Sequence, residues 1–151
     1  MESQQAHGQP LVILLVEDNP DHAELVVRCL RDHRVANTIH HLPDGQEALD
    51  YLFRRGSYSN TGETGYPHMI LLDLRLPKID GLEVLRVIKS DDRLGRIPVV
   101  ILTSSDAETD VARAYHHHAN SYLVKPIDFP RFTQMMNDLG FYWLGWNRHP
   151  G

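Results

Sequence analysis

Apolar runs alternate with amphipathic segments along the whole of the 151-residue chain, and this alternation constrains the fold more than any other feature. LVILLV (11–16), which is rich in β-branched residues, ANTIHHL (36–42), HMILLDL (68–74), VVILT (99–103) and NSYLV (120–124) are the short runs. A run with no polar alternation has no wet face, so the strongest of these read as parallel strands covered on both sides. Between them lie helix-period segments. Asn19-Pro20 opens one, with Asp18 or Asn19 as the cap and Ala23, Val26, Val27 and Leu30 on its inner face. PDGQEALDYLFRR supplies a second, Gly81 starts a third, DAETDVARAYHHH a fourth and DFPRFTQMMNDLG the last. Strict strand–helix alternation calls for an α/β, doubly wound, five-stranded parallel sheet with right-handed crossovers.

The pattern occupies residues 11–140 as one domain, with a ten-residue extension (1–10) before it and an aromatic tail, FYWLGWNRHPG (141–151), after it. The tail aromatics Phe141, Tyr142, Trp143 and Trp146 need cover, either on their own domain or in a dimer interface. Residues 56–66 are Gly/Ser/Thr-rich and read as a mobile surface loop. A formal charge of −5 without a Lys/Arg stripe argues against a nucleic-acid partner. The single cysteine, Cys29, excludes an intrachain disulfide and reads as a thiol at the core edge. No secretory signal opens the chain, and the longest apolar run is too short for a bilayer span, so the expected location is the cytoplasm.

In parallel sheets of this kind functional groups gather beyond the carboxyl ends of the strands. Glu17 and Asp18 follow the first strand, Asp73 ends the third, Thr103 and Ser104 follow the fourth, and Lys125-Pro126 the fifth. Three neighbouring carboxylates repel one another, and a divalent cation relieves the conflict. Oxygen ligands of this kind suit Mg²⁺. Cations and a hydroxyl around one carboxylate are the arrangement that stabilises a transferring phosphoryl group. Asp73 is then the nucleophile, carrying an acyl phosphate.

With those residues in place the sequence resembles a response-regulator receiver domain of two-component signalling. The resemblance rests on VEDN (16–19), LLDLRLPKIDG (71–81), ILTSS (101–105) and SYLVKP (121–126). It implies the flavodoxin-like (βα)5 receiver fold. It further implies that Asp73 takes phosphate from a sensor histidine kinase, and that Glu17, Asp18, Asp73 and the backbone carbonyl of Arg75 hold Mg²⁺. Thr103 and Lys125 would bind phosphoryl oxygens, Tyr122 would turn inward as the switch aromatic, and Lys125-Pro126 would be cis. Such a protein is a phosphoacceptor that catalyses its own phosphotransfer and dephosphorylation rather than an enzyme acting on a separate substrate. Arg75 and Ser105 occupy positions that tune hydrolysis in the family.

DNPDHAEL, the long loop before the third strand and the aromatic ending also resemble the small stand-alone regulators paired with bacterial phytochrome kinases. This narrower likeness implies such a kinase as partner and a homodimer built on the fourth and fifth units and the tail. With only residues 141–151 beyond the pattern, output is expected through protein contact. That contact is either a bound target or relay to a histidine phosphotransfer protein.

One departure concerns His118, where most relatives end the fourth helix with glycine; a left-handed conformation there costs a non-glycine residue on the order of 1 kcal/mol. His116, His117 and His118 fan out by about 100° each on a helix, which disfavours one shared ion. An aspartyl phosphatase would want its nucleophile after the first strand. A flavin-type phosphate cradle would not carry the acidic loop EDNPD. A phosphorylation-independent interaction module is the alternative, but it should have lost one of Asp18, Asp73, Thr103 or Lys125, and all are present.

Overall fold

The computed structural model describes residues 11–33, 38–59, 66–104 and 113–140. The N-terminal extension, residues 36–37 of the second expected strand, part of the 56–66 loop, Ser105, most of the fourth expected helix and the aromatic tail lie outside the described residues.

Five strands form one parallel sheet: β1 (Val12–Val16), β2 (Thr38–Leu42), β3 (Met69–Asp73), β4 (Val99–Thr103) and β5 (Ser121–Val124). Their order is β2-β1-β3-β4-β5, so the winding direction switches between β1 and β3. The helices are α1 (Pro20–Asp32), α2 (Gly45–Leu52), α3 (Gly81–Ser90), α4 (helical over residues 113–116) and α5 (Phe129–Asp138). The expected doubly wound α/β fold is the one observed.

Strand alternation sorts the core into two layers. Ile13, Leu15, Met69, Leu71, Val100, Leu102 and Leu123 pack with α1 and α5 around a fully buried Phe132. Leu14, Val16, Ile70, Leu72, Val99 and Ile101 face the other way, against α2, α3 and α4. All five residues of β3 and of β4 are buried, as their unbroken apolar runs require.

The helices begin where the sequence places caps. Asn19, rather than Asp18, caps α1 through Oδ1, which accepts from the backbone N–H groups of Asp21 and His22. Asp44 caps α2 and Asp80 caps α3. Gly81 is required by space: a Cβ there would overlap the Asp73 carbonyl oxygen and stand 2.6 Å from Leu74 Cα. His118 takes the left-handed conformation, φ 72°, as expected for the residue ending α4. Cys29 is half-buried in α1, and burial followed by the Asp32 charge pushes its thiol upward, in keeping with a core-edge role. His40 and His41 fall on opposite faces of β2, and the His41 ring donates to the Glu17 carbonyl oxygen at 2.7 Å.

Candidate functional site

Register brings the site together. Val16 pairs with Leu72 across β1 and β3, so Glu17 and Asp73 leave the sheet at one level. Thr103 pairs with Val124, which puts Lys125 one residue beyond the β4–β5 ladder. Glu17, Asp73 and Lys125 continue the alternation of Leu15, Leu71 and Leu123, so all three side chains lean toward the α1/α5 layer. Thr103 continues that of Val99 and Ile101 and shares the opposite layer with Tyr122.

The Lys125 ammonium donates to Glu17 Oε1 at 2.8 Å and to Asp73 Oδ2 at 3.2 Å. The backbone N–H of Arg75 donates to Asp73 Oδ1 at 3.0 Å, and that of Asn19 to Glu17 Oε2 at 3.1 Å. Asp73 and Glu17 are buried, whereas Asp18 is exposed at the rim. Carboxylate oxygens of Glu17, Asp18 and Asp73 all lie within 4.8 Å of one another. Burial pushes the Glu17 carboxyl above its ordinary range; the Lys125 ammonium pulls it back, and the Asp73 carboxylate pushes it up again.

Among the contacts of the described residues, one ammonium meets Glu17 and Asp73 beside a third carboxylate, Asp18. An all-oxygen donor set of this size fits a hard divalent cation. Lys125-Pro126 is cis, and the Lys125 backbone N–H donates to the Thr103 carbonyl oxygen at 2.8 Å. Thr103 is itself buried. The Tyr122 ring is half-buried, edge-on to Tyr115 with centroids 6.1 Å apart.

The family model for the response regulator receiver domain matches residues 13–137. The chain belongs to that family. The probable methanogenesis regulatory protein FilR2 of Methanothrix harundinacea is 49% identical over 142 residues, which cover 94% of this chain and 89% of that one. Response regulator Rcp1 of Synechocystis is 42% identical over 135 residues, covering 89% of this chain and 90% of its own. The Mn²⁺-bound structure of Rcp1 superposes with a TM-score of 0.72, at 40% identity, covering 94% of this chain and all of that one. The bacteriophytochrome response regulator AtBRR gives 0.82 at 46% identity, covering 93% of this chain and 99% of its own. Receivers act with sensor histidine kinases in two-component signalling, and a divalent metal fits this receiver's acidic cluster, as the Rcp1 structure holds Mn²⁺. Among the described residues no helix is long and apolar enough to cross a membrane.

The structure brings Glu17, Asp18, Asp73 and Lys125 together, and places Thr103 at the neighbouring strand end. Arg75 is exposed with its backbone beside Asp73. Sequence reasoning missed His22, whose Nδ1 lies 3.0 Å from Lys125 Nζ and 4.0 Å from Glu17 Oε2. The available signal was its place in the first turn of the helix that follows the acidic pair. It also missed Asp44 and Lys78, which form a 3.4 Å ion pair between the β2–α2 and β3–α3 loops.

Proposed function

We propose that this receiver accepts a phosphoryl group on Asp73 from a sensor histidine kinase and signals through phosphorylation-dependent protein contacts. The observation that carries this reading is the setting of Asp73: a buried carboxylate held by Lys125 on one oxygen and by the Arg75 N–H on the other, within 4.8 Å of two further carboxylates. Those contacts hold the carboxylate in place, so one oxygen can attack phosphorus while the bond to the donor's imidazole nitrogen breaks. The electron pair returns to that nitrogen.

Glu17, Asp18, Asp73 and the Arg75 carbonyl are the residues to hold Mg²⁺. When bound, the ion supplies positive charge to the carboxylates and to the phosphoryl oxygens. Lys125 turns its ammonium to one phosphoryl oxygen, and the Thr103 hydroxyl donates to another. Tyr122 shares a layer with Thr103, so movement of the hydroxyl frees space for the ring to turn inward, which biases the β4–α4 and β5–α5 surface.

A groove of about 430 Å³ between α1 and the β5–α5 connection, lined by Leu25, Val26, Cys29 and Ile127, runs up to Lys125 and suits the kinase's phosphohistidine-bearing element. A bacterial phytochrome as that kinase fits the likeness to AtBRR. A homodimer through the fourth and fifth units, and relay to a histidine phosphotransfer protein, belong to the same reading.

Intact mass after incubation with acetyl phosphate tests it. One phosphoryl mass is expected with Mg²⁺, none without it, and none in Asp73→Asn. A wild-type protein that stays unlabelled while a control receiver is labelled would favour the phosphorylation-independent interaction module.

A further inference from the structure

Lys125 has a third partner besides the two carboxylates. An ammonium carries three N–H donors and no acceptor. Two reach Glu17 Oε1 and Asp73 Oδ2, and the third points to His22 Nδ1 at 3.0 Å. A lysine can only donate, so in this contact Nδ1 is the acceptor.

The place of His22 is fixed by its backbone. Pro20 begins α1, and Asn19 Oδ1 accepts from the N–H groups of Asp21 at 2.9 Å and His22 at 3.2 Å. The His22 side chain is 42% exposed, against 9% for Lys125 and 1% for Glu17, so the imidazole forms the outer wall of the ammonium's seat.

We infer that His22 is a positioning residue for phosphoryl transfer, holding one N–H of Lys125 outside the Glu17–Asp73 pair so that the ammonium stands ready for an arriving phosphoryl oxygen. This rests on Asp73 being the phosphoacceptor. Without the Nδ1 acceptor, all three donors of Lys125 compete for the two carboxylates. The ammonium then draws into them, and turning it toward a phosphoryl oxygen means breaking stronger contacts. His22 is not among the residues assigned to hold Mg²⁺, so transfer rates are compared at saturating Mg²⁺, where a change in affinity for the ion does not enter.

Acetyl phosphate provides a test free of kinase docking. An Asp73 oxygen attacks phosphorus, the P–O bond to acetate breaks, and the electron pair leaves with acetate; no proton needs to move. Initial rates of phosphoprotein formation are compared for wild type, His22→Leu and His22→Asn. Leucine keeps the bulk without an acceptor, whereas an asparagine Oδ1 sits close to the histidine Nδ1 position.

His22→Leu is expected to be slower by about tenfold, the lower end of what losing a hydrogen bond to a charged group costs. His22→Asn should recover to within about threefold of wild type at saturating Mg²⁺. A His22→Leu rate equal to wild type overturns the inference. So does failure of His22→Asn to recover. Absence of labelling in wild type contradicts the phosphoacceptor reading itself, a result distinct from both.

Discussion

Lys125 Nζ meets Glu17 Oε1 at 2.8 Å across 108 residues of chain, closing the last strand–helix unit onto the first. The same ammonium reaches Asp73, so one lysine neutralises part of a buried carboxylate pair. Removing one member of such a buried set leaves uncompensated charge.

Lys125→Met should therefore destabilise the protein by about 3 kcal/mol in the absence of divalent ions. Mg²⁺ should recover more of the melting temperature in this variant than in wild type, because the ion then supplies the missing positive charge. Thermal unfolding with Mg²⁺ and with a chelator checks both. Equal Mg²⁺ shifts in the two proteins would show that Lys125 does not screen the carboxylates.

Gly81→Ala tests the turn that carries Arg75 past Asp73. The added Cβ meets the Asp73 carbonyl and the Leu74 backbone, which cannot move aside as a side chain would. A loss of about 2 kcal/mol in urea unfolding is expected, together with weaker Mg²⁺ binding. Wild-type Mg²⁺ affinity in a destabilised variant would separate the turn from the site.

Thr103 and Tyr122 share a layer although they stand on different strands. Saturation with Mg²⁺ and beryllofluoride, a phosphoryl mimic, should shift the Tyr122 ring resonances and alter its contact with Tyr115. Thr103→Ala should abolish the shift while leaving the mimic bound. An unchanged Tyr122 in saturated wild type would remove it from the switch.

Alkaline unfolding is expected to have a component from Tyr58, whose hydroxyl donates to Glu47 Oε1 at 2.7 Å. Burial, reinforced by the Glu47 carboxylate, pushes this phenol up to about 12. The folded state thus holds the proton more tightly than the unfolded state. This contribution to stability is whole below about pH 10, the ordinary tyrosine value, and is lost as pH rises through the raised folded value. Tyr58→Phe should flatten the decline of stability over that interval, read by urea unfolding at a series of alkaline pH values.

Much of the fold was legible because β1, β3 and β4 are buried on both faces, and unbroken apolar runs have few other uses. Asp73, Thr103 and Lys125 stood out because each follows such a run directly. His22 did not, since a histidine in a first helical turn is ordinary until the helix is docked beside Lys125. The Asp44–Lys78 pair was equally hidden: both residues lie in loops whose approach is set by packing of Gly45 against the Ile79 carbonyl. The left-handed backbone of Arg54 and Lys78 carries no sequence mark either, whereas His118 could be anticipated from its place at a helix end.

The most direct measurement is chemical location of the phosphoryl group. Borohydride reduces an aspartyl phosphate to homoserine, which peptide mass spectrometry assigns to one position. After treatment with acetyl phosphate and Mg²⁺, homoserine is expected at position 73 alone, and none when Mg²⁺ is chelated. Homoserine at another aspartate, or unmodified Asp73 in protein that has gained a phosphoryl mass, would contradict Asp73 as the phosphoacceptor.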